Sequence, residues 1–490
     1  MTAVPEIRIR DASFRPVRGD GRWVLYWMTA HRRTRWSFAL DRAVAWARQL
    51  GRPLVVLEHL PCGRRWDTDR SHAFVLQGMA DNAAAMADAP AQYYPYVDHR
   101  AGDGEALAAA LAAEACVVVA DEFPDAAHRA LATRLAARCP VLVESVDANG
   151  LLPLAAADRA YPTAHAFRRW LQRTLPEHLH ERPQANPFAR LVLPMLTSLP
   201  ASVARRWPRA SARLLRGDRA TLAELPIDHA AAPAAIAGGR RAALRRLKVF
   251  VAAQLPRYAD DRNHPDLDAT SGLSPYLHAG HLAAHEVAAA VLESQGWSPE
   301  RLSRRVTGSR QGWWGVGASA EAFLDQAVTW REVGFNMAWH REDHDHYESL
   351  PPWAARTLGE HARDRREYRY GLREFEQAGT HDRLWNAAQR QLVREGRMHN
   401  YLWMLWGKKI LQWTQRPQEA LEVMIELNNR YALDGCDPNS YSGVFWVLGR
   451  YDRAWGPERP VFGKVRFMSS DSTRRKVRVK DYLERYGDAE

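Results

Sequence analysis

Four segments of the chain gather side chains that can do chemistry. The first, DATSGLSPYLHAGHLAAHEV (268–287), is a hydroxyl-rich turn running into a helix. Thr270, Ser271 and Ser274 offer hydroxyls, and Gly272 lets the backbone come close to a ligand. Such a turn can cradle phosphate, because a helix N-terminus presents unpaired N–H groups and a positive dipole end. On spacing alone an ordinary N-cap accounts for it better. The second, HREDHDHYE (340–348), puts His340 and His344 at the i, i+4 spacing that can hold a divalent cation. It lacks the Glu of H-E-x-x-H, and Pro351 and Pro352 follow closely, so it reads as a solvated loop and no metal is assigned. The third, YLWMLWGKKILQW (401–413), carries Trp403, Trp406 and Trp413. The seven-residue step from Trp406 to Trp413 returns to nearly the same helix face, about 10 Å further along the axis. Core packing explains such a stripe, and so does electron passage between stacked indoles; the residues alone leave both open. The fourth, 459–480, sets eight Lys and Arg against one acid, Asp471, with Phe462 and Phe467 interleaved. That pattern describes a folded basic surface, suited to a phosphate backbone or simply to water.

The elements that position these segments follow from the rest of the chain. Its 490 residues are 46% hydrophobic and 26% charged, which excludes a disordered protein and is enough for two to three domains. A net charge of +11 favours a polyanionic partner. No apolar run reaches the ~18 residues of a membrane helix, and the start, MTAVPEIRIRD, has no apolar signal core. A soluble, cytoplasmic protein that does not engage membranes is expected, with Cys62, Cys116, Cys139 and Cys436 as free thiols. Twelve of the nineteen tryptophans lie beyond residue 296, more than a core ordinarily needs.

Residues 1–150 read as an α/β domain. The runs 23–27 (WVLYW), 53–58 (PLVVLE), 117–120 (VVVA) and 141–144 (VLVE) predict buried strands, and Leu40, Ala43, Val44, Ala47 and Leu50 predict a helix between the first two. Strand and helix in alternation imply a parallel, Rossmann-like sheet covered on both faces. The Gly-rich phosphate fingerprint is missing after the first strand, where WMTAHRRTRW stands instead. Residues 151–240 read as an interdomain connection ending in HAAAPAAIAGG, and 241–490 as an all-helical domain. ALRRLKVFVAAQL, HLAAHEVAAAVLES, AEAFLDQAVTWREVGF and NYLWMLWGKKILQW are its clearest helices.

LWNAAQRQLVREGRMHNYLWMLWGKKILQWT (384–414), ELNNRYALDGCDPNSYSGVFW (426–446) and ERPVFGKVRFM (458–468) resemble the photolyase/cryptochrome flavoproteins, and most of all the class II cyclobutane pyrimidine dimer photolyases. TSGLSPYLHAGHLAA and EAFLDQAVTWRE fall in the family's order, and VDANGLLP with AYPTAHAFRRWL is similar to its connection between domains. The resemblance implies FAD bound in the helical domain. Tyr258 and the turn Thr270, Ser271, Gly272, Leu273, Ser274 match the parts that hold its pyrophosphate, and Asp434 and Gly435 the part around the isoalloxazine ring. Asn428 matches an asparagine near flavin N5, while Trp385, Trp406 and Trp413 match a photoreduction chain. Trp330 and Trp446, with Met404, match the pocket where a flipped-out pyrimidine dimer of DNA would be held between the two indoles. The family also carries antenna chromophores; the sequence names none. A monomer is expected.

Three positions depart from the family's pattern. Gln326 stands where it has a dimer-binding glutamate, Trp403 where it has an arginine paired to the aspartate matching Asp434, and Cys436 where an arginine follows the LDG turn. The first reading is a photolyase that splits cyclobutane dimers with an electron from reduced FAD. The alternative is a photolyase-derived flavoprotein with another task, a photosensor or a light-dependent enzyme on another substrate.

Overall fold

A computed structural model describes residues 4–487, so the first three residues of the stretch read as lacking a signal lie outside the described range. Contacts divide the chain into two compact units. The sheet unit takes residues up to Asp158, Leu175–Leu247 and Leu273–Ala290; the helical unit takes Arg159–Thr174, Lys248–Gly272 and the residues from Val291 on.

Six strands build the sheet: β1 (Ile9–Asp11), β2 (Trp23–Met28), β3 (Leu54–Leu60), β4 (Gln92–Val97), β5 (Ala115–Glu122) and β6 (Val143–Asp147). Their order is β1-β6-β5-β2-β3-β4. Five run parallel, and β1 pairs with β6 antiparallel, so the expected all-parallel sheet gains an edge strand of the opposite sense. Every residue of β2, β3, β5 and β6 is buried, as strands covered on both faces require. Alternation still sorts them: Trp23, Leu25 and Trp27 enter one core, Val24, Tyr26 and Met28 the other. Strand β4 was not expected, because Pro95 interrupts QYYPYV; at the sheet edge a residue without an N–H is tolerated.

The helices between strands are α1 (Phe38–Leu50), α2 (Asp69–Ala85), α3 (Asp103–Ala113) and α4 (Ala126–Arg138). Helix α1 starts where Ser37 accepts the Leu40 N–H and stops at Gly51, whose φ of 59° suits glycine. Part of the stretch expected as a connection packs on the sheet: Leu199, Val203 and Trp207 join its core, and the Tyr94 hydroxyl donates to Trp207 O at 2.6 Å.

The strand order reverses between β2 and β5, where parallel α/β sheets open a ligand crevice. Here the protein fills it. The backbone N–H groups of Thr29, Ala30 and His31 each donate to Asp121 Oδ2 at 2.8 Å, and the Tyr26 hydroxyl donates to Oδ1 at 2.7 Å. Burial opposes ionisation of Asp121, but the neighbouring His31 ring and these donors outweigh it and set its pKa below the ordinary carboxylate value. A nest of N–H groups that elsewhere would face a phosphate already holds a carboxylate, which is the physical counterpart of the missing fingerprint.

In the helical unit, α-helical segments are interrupted twice by π-helical turns, at Phe250–Gln254 and at Asp325–Trp330. The second lies inside what the sequence presents as one helix, between Ala318–Leu324 and Arg331–His340. After it, the histidine-rich stretch is less solvated than expected: His344 is buried edge-on to Tyr441, with ring centroids 5.5 Å apart. Among the described residues no group of three His, Cys, Asp or Glu could hold a metal, and no helix is long and apolar enough to cross a membrane. All four cysteines are free thiols.

The tryptophan helix Asn400–Trp413 is tied to the helix Pro438–Val447 by Lys408, whose buried ammonium group donates to Val447 O at 2.5 Å. Burial pulls the Lys408 pKa down to about 7.

Two outcomes are expected. Asp121→Ala strands four buried donors and should lower stability by roughly 3 kcal/mol or more, seen as a fall in Tm. For Lys408 the unfolded chain binds the proton more tightly than the folded one, so from about pH 7 up to the unfolded lysine value its penalty is progressively relieved. The Tm of wild type relative to Lys408→Met should therefore rise between pH 7 and pH 10; a flat difference would show an ordinary lysine.

Candidate functional site

The helix Pro417–Tyr431 brings Asn428 into the interior of the helical unit. Its Nδ2 donates to Asn429 Oδ1 at 2.9 Å and to Ser440 Oγ at 2.7 Å. Asn429 is itself oriented, since its Nδ2 donates to the Tyr441 hydroxyl and its Oδ1 accepts the Cys436 N–H, both at 3.0 Å. With the amide fixed this way, Asn428 Oδ1 is buried without a hydrogen-bond partner. A buried carbonyl left so costs about 1–3 kcal/mol, which a ligand N–H would recover.

The turn that follows closes tightly over this amide. A Cβ on Gly435 would lie 2.8 Å from Asn429 Cα and 2.9 Å from Asn428 O, so only glycine fits. Cys436 adopts φ 64°, a left-handed conformation that is strained for a side chain with a Cβ. Asp434 and Cys436 are half-buried on either side of Gly435.

Indoles lie along the tryptophan helix and its neighbour. Trp403 and Trp406, three residues apart, are stacked with centroids 5.1 Å apart and planes 25° apart. Trp406 Nε1 donates to Gln389 Oε1 at 2.9 Å. The return to Trp413 is not made along the helix face alone. Trp385, on the helix Arg383–Glu395, intervenes: its Nε1 donates to Trp406 O at 3.0 Å, and its ring meets Trp413 at 5.8 Å. Trp385, Trp406 and Trp413 are almost fully buried, so the stripe is core, its members linked by the Trp385–Trp413 ring contact and the hydrogen bond from Trp385 to Trp406 O. Lys409 Nζ lies 5.2 Å from the Trp413 ring.

The π-helical turn carries the expected pocket residues. Asp325 opens it and is gripped by Arg168, Nε at 2.7 Å and Nη2 at 3.1 Å, both side chains buried. Gln326 follows, half-buried, and Trp330 closes the turn. Trp330 meets Trp446 at 4.7 Å with planes 30° apart. A base between them would need the centroids about 7 Å apart, two van der Waals gaps, so the two indoles form one wall and not the expected clamp. Tyr451 stands edge-on to Trp330 at 6.4 Å, with its hydroxyl 3.0 Å from Ser442 Oγ.

Tyr258 is buried, edge-on to Phe250 and Phe323, and burial raises its pKa. In the turn 270–274, Gly272 has φ 61°. The helix it enters, Ser274–His278, is only five residues long and has Leu273 as N-cap, so no side chain caps it and the ordinary N-cap reading fails. Thr270, Ser271 and Gly272 group with the helical unit, Leu273 and Ser274 with the sheet unit. Met404 is half-buried next to Trp403 on the tryptophan helix.

One residue escaped the sequence reading. Trp455 is 38% exposed, with the Arg453 guanidinium 4.9 Å and that of Arg466 5.5 Å from its ring. Its surroundings, AWGPERP, carry a basic and aromatic signal that was legible beside the 459–480 stretch. In that stretch Arg459 stacks on Phe467, which meets Phe462, so the surface is folded as expected.

No protein-family model matches the chain. It is 32% identical over 485 residues to a deoxyribodipyrimidine photo-lyase of Methanothermobacter thermautotrophicus, covering 98% of this chain and 97% of that protein. It is 34% identical over 475 residues to one of Oryza sativa subsp. japonica, covering 94% and 86%. A bacterial class III photolyase from Agrobacterium tumefaciens shares the fold at a TM-score of 0.66 and 17% identity, over 95% of this chain and 86% of that one. Identity at this level along nearly the whole of two such proteins has one consequence: the chain belongs to the deoxyribodipyrimidine photo-lyase family.

Proposed function

We propose that this chain is a light-driven flavoprotein that splits cyclobutane pyrimidine dimers in DNA. The observation that carries the reading is Asn428, a fixed and buried amide whose carbonyl oxygen lacks a donor. A flavin ring placed beside it would supply the missing N–H. The chemistry that a bound, reduced FAD would supply there is light-driven transfer of one electron to the dimer and its return once the ring bonds have broken.

The chain's own residues bind, orient and refill. Tyr258 and the turn Thr270, Ser271, Gly272, Leu273, Ser274 hold the pyrophosphate, where the left-handed Gly272 lets backbone N–H groups approach. Asp434 and Gly435 flank the ring, and the glycine leaves room for it. Trp385, Trp406 and Trp413 return electrons from the protein surface. Gln326 donates an amide N–H to a carbonyl of the dimer, and the wall of Trp330 and Trp446, with Met404, offers one face for stacking. Arg453, Arg466 and the 459–480 surface meet phosphates, as the net charge of +11 favours. At the crevice between β2 and β5 the N–H groups of Thr29, Ala30 and His31 are already taken up by Asp121.

A second reading, a relative turned to another light-dependent task, is favoured by one observation: Trp330 and Trp446 touch, so a base has to part them or lie outside them.

Acid precipitation of the purified yellow protein should release FAD. Illumination of the reduced protein with a dimer-containing oligonucleotide should restore thymines, with none restored in the dark. A flavin-loaded protein that restores none puts the second reading first. Arg474→Ala with Arg475→Ala should weaken DNA binding and make the slope of log affinity against log salt shallower by about two, one per lost phosphate contact.

A further inference from the structure

Asn428 and Trp403 address the same short stretch of the helix Pro438–Val447. The Asn428 amide reaches Ser440 Oγ at 2.7 Å, and a Cβ on Gly443 would lie 3.2 Å from Trp403 Nε1. Ser440 and Gly443 are three residues apart, hence neighbours on one helix face at about 5–6 Å. Trp403 and Asn428 therefore meet this helix at positions one turn apart, and Gly443 is what gives the indole room to do so. Its ring also stacks on Trp406 at 5.1 Å and 25°. Half-buried, Trp403 thus meets the helix face that Asn428 also addresses and stacks on Trp406, the first of the indoles Trp406, Trp385 and Trp413.

We infer that Trp403 is the first electron donor to the light-excited flavin, at the head of a four-indole relay Trp403, Trp406, Trp385, Trp413. The inference rests on the flavin reading above. Where the flavin is oxidised, Trp403 gives one electron to its excited ring and becomes a cation radical. One electron from Trp406 refills it, the hole passes to Trp385 and then to Trp413, and a soluble thiol reductant refills buried Trp413 across the exposed His381 that packs 5.2 Å from its ring. One electron enters at the surface for each that reaches the ring, and no bond is made or broken among the indoles. The close stack also speeds the reverse step, so the electron returns to Trp403 unless Trp406 fills the hole first.

The relay makes Trp403 and Trp406 unequal in a measurable way. In the flavin-loaded protein, Trp403→Phe should lengthen the excited-flavin lifetime on the order of tenfold, a rate change equal to about 1.4 kcal/mol of barrier. Trp406→Phe should leave that lifetime short while lowering the yield of stable photoreduction. Gly443→Ala, which crowds the indole from the facing helix without removing it, should lengthen the lifetime too. Independently of flavin, the stacked pair should give a far-ultraviolet circular dichroism couplet in the flavin-free protein, lost in Trp403→Phe and in Trp406→Phe and kept in Trp385→Phe. A lifetime that responds to Trp406→Phe and not to Trp403→Phe overturns the inference and leaves the flavin reading intact, as does a missing couplet in wild type. A protein that takes up no FAD overturns both.

Discussion

The ion pair of Arg168 with Asp325 fixes the helix that carries Gln326 and Trp330. Both groups are out of water, and removal of either would leave a buried charge, a loss of about 3–5 kcal/mol. Arg168 also donates to Gly308 O at 3.3 Å, so one guanidinium ties together three separate stretches of the helical unit. Asp325 is the first residue of the π-helical turn, and Gln326 and Trp330 take their directions from it. Trp330 in turn meets Trp446. The pair is better understood as setting that register than as a net source of stability.

Two buried polar groups, one in each unit, are treated in opposite ways. In the sheet unit, the place where related architectures admit a nucleotide is closed by Asp121, with each of its oxygens met by donors from the loop and strand beside it. In the helical unit, the Asn428 amide is fixed as firmly by Asn429 and Ser440, yet one of its two polar atoms faces nothing. Asn428 Oδ1 is one of several buried side-chain atoms without a partner, Asp41 Oδ1 and Gln254 Oε1 among the others. What sets it apart is the tight turn at Gly435 that closes over its amide.

Much of this was legible in the sequence. The β-branched runs gave away the buried strands, and Trp403 and Trp406 could be placed on adjoining turns of one helix. What was hidden shares a cause: it depends on partners distant in the chain. Strand β4 exists because an edge position forgives Pro95, and β1 is too short to show a pattern. Trp385 links Trp406 to Trp413 through a backbone carbonyl, which no spacing rule reveals. Ser440 and Gly443 look like ordinary small residues until the helix facing them is known. The contact of Trp330 with Trp446 is hidden for the same reason: the sequence names both indoles and carries no measure of their separation.

The π-helical turn also changes which mutations the site can survive. Such a turn amounts to one residue more than an α-helix would use over the same rise. Loss of a single residue from 325–330 would let the segment relax into a regular helix over nearly the same rise and rotation, so the helix Arg331–His340 would keep its direction. What would be lost is the bulged backbone that aims the residues inside the turn, Gln326 among them. A further inserted residue has no second bulge to absorb it and would rotate everything beyond it by about 100°. This stretch should therefore accept the loss of one residue more readily than the gain of one.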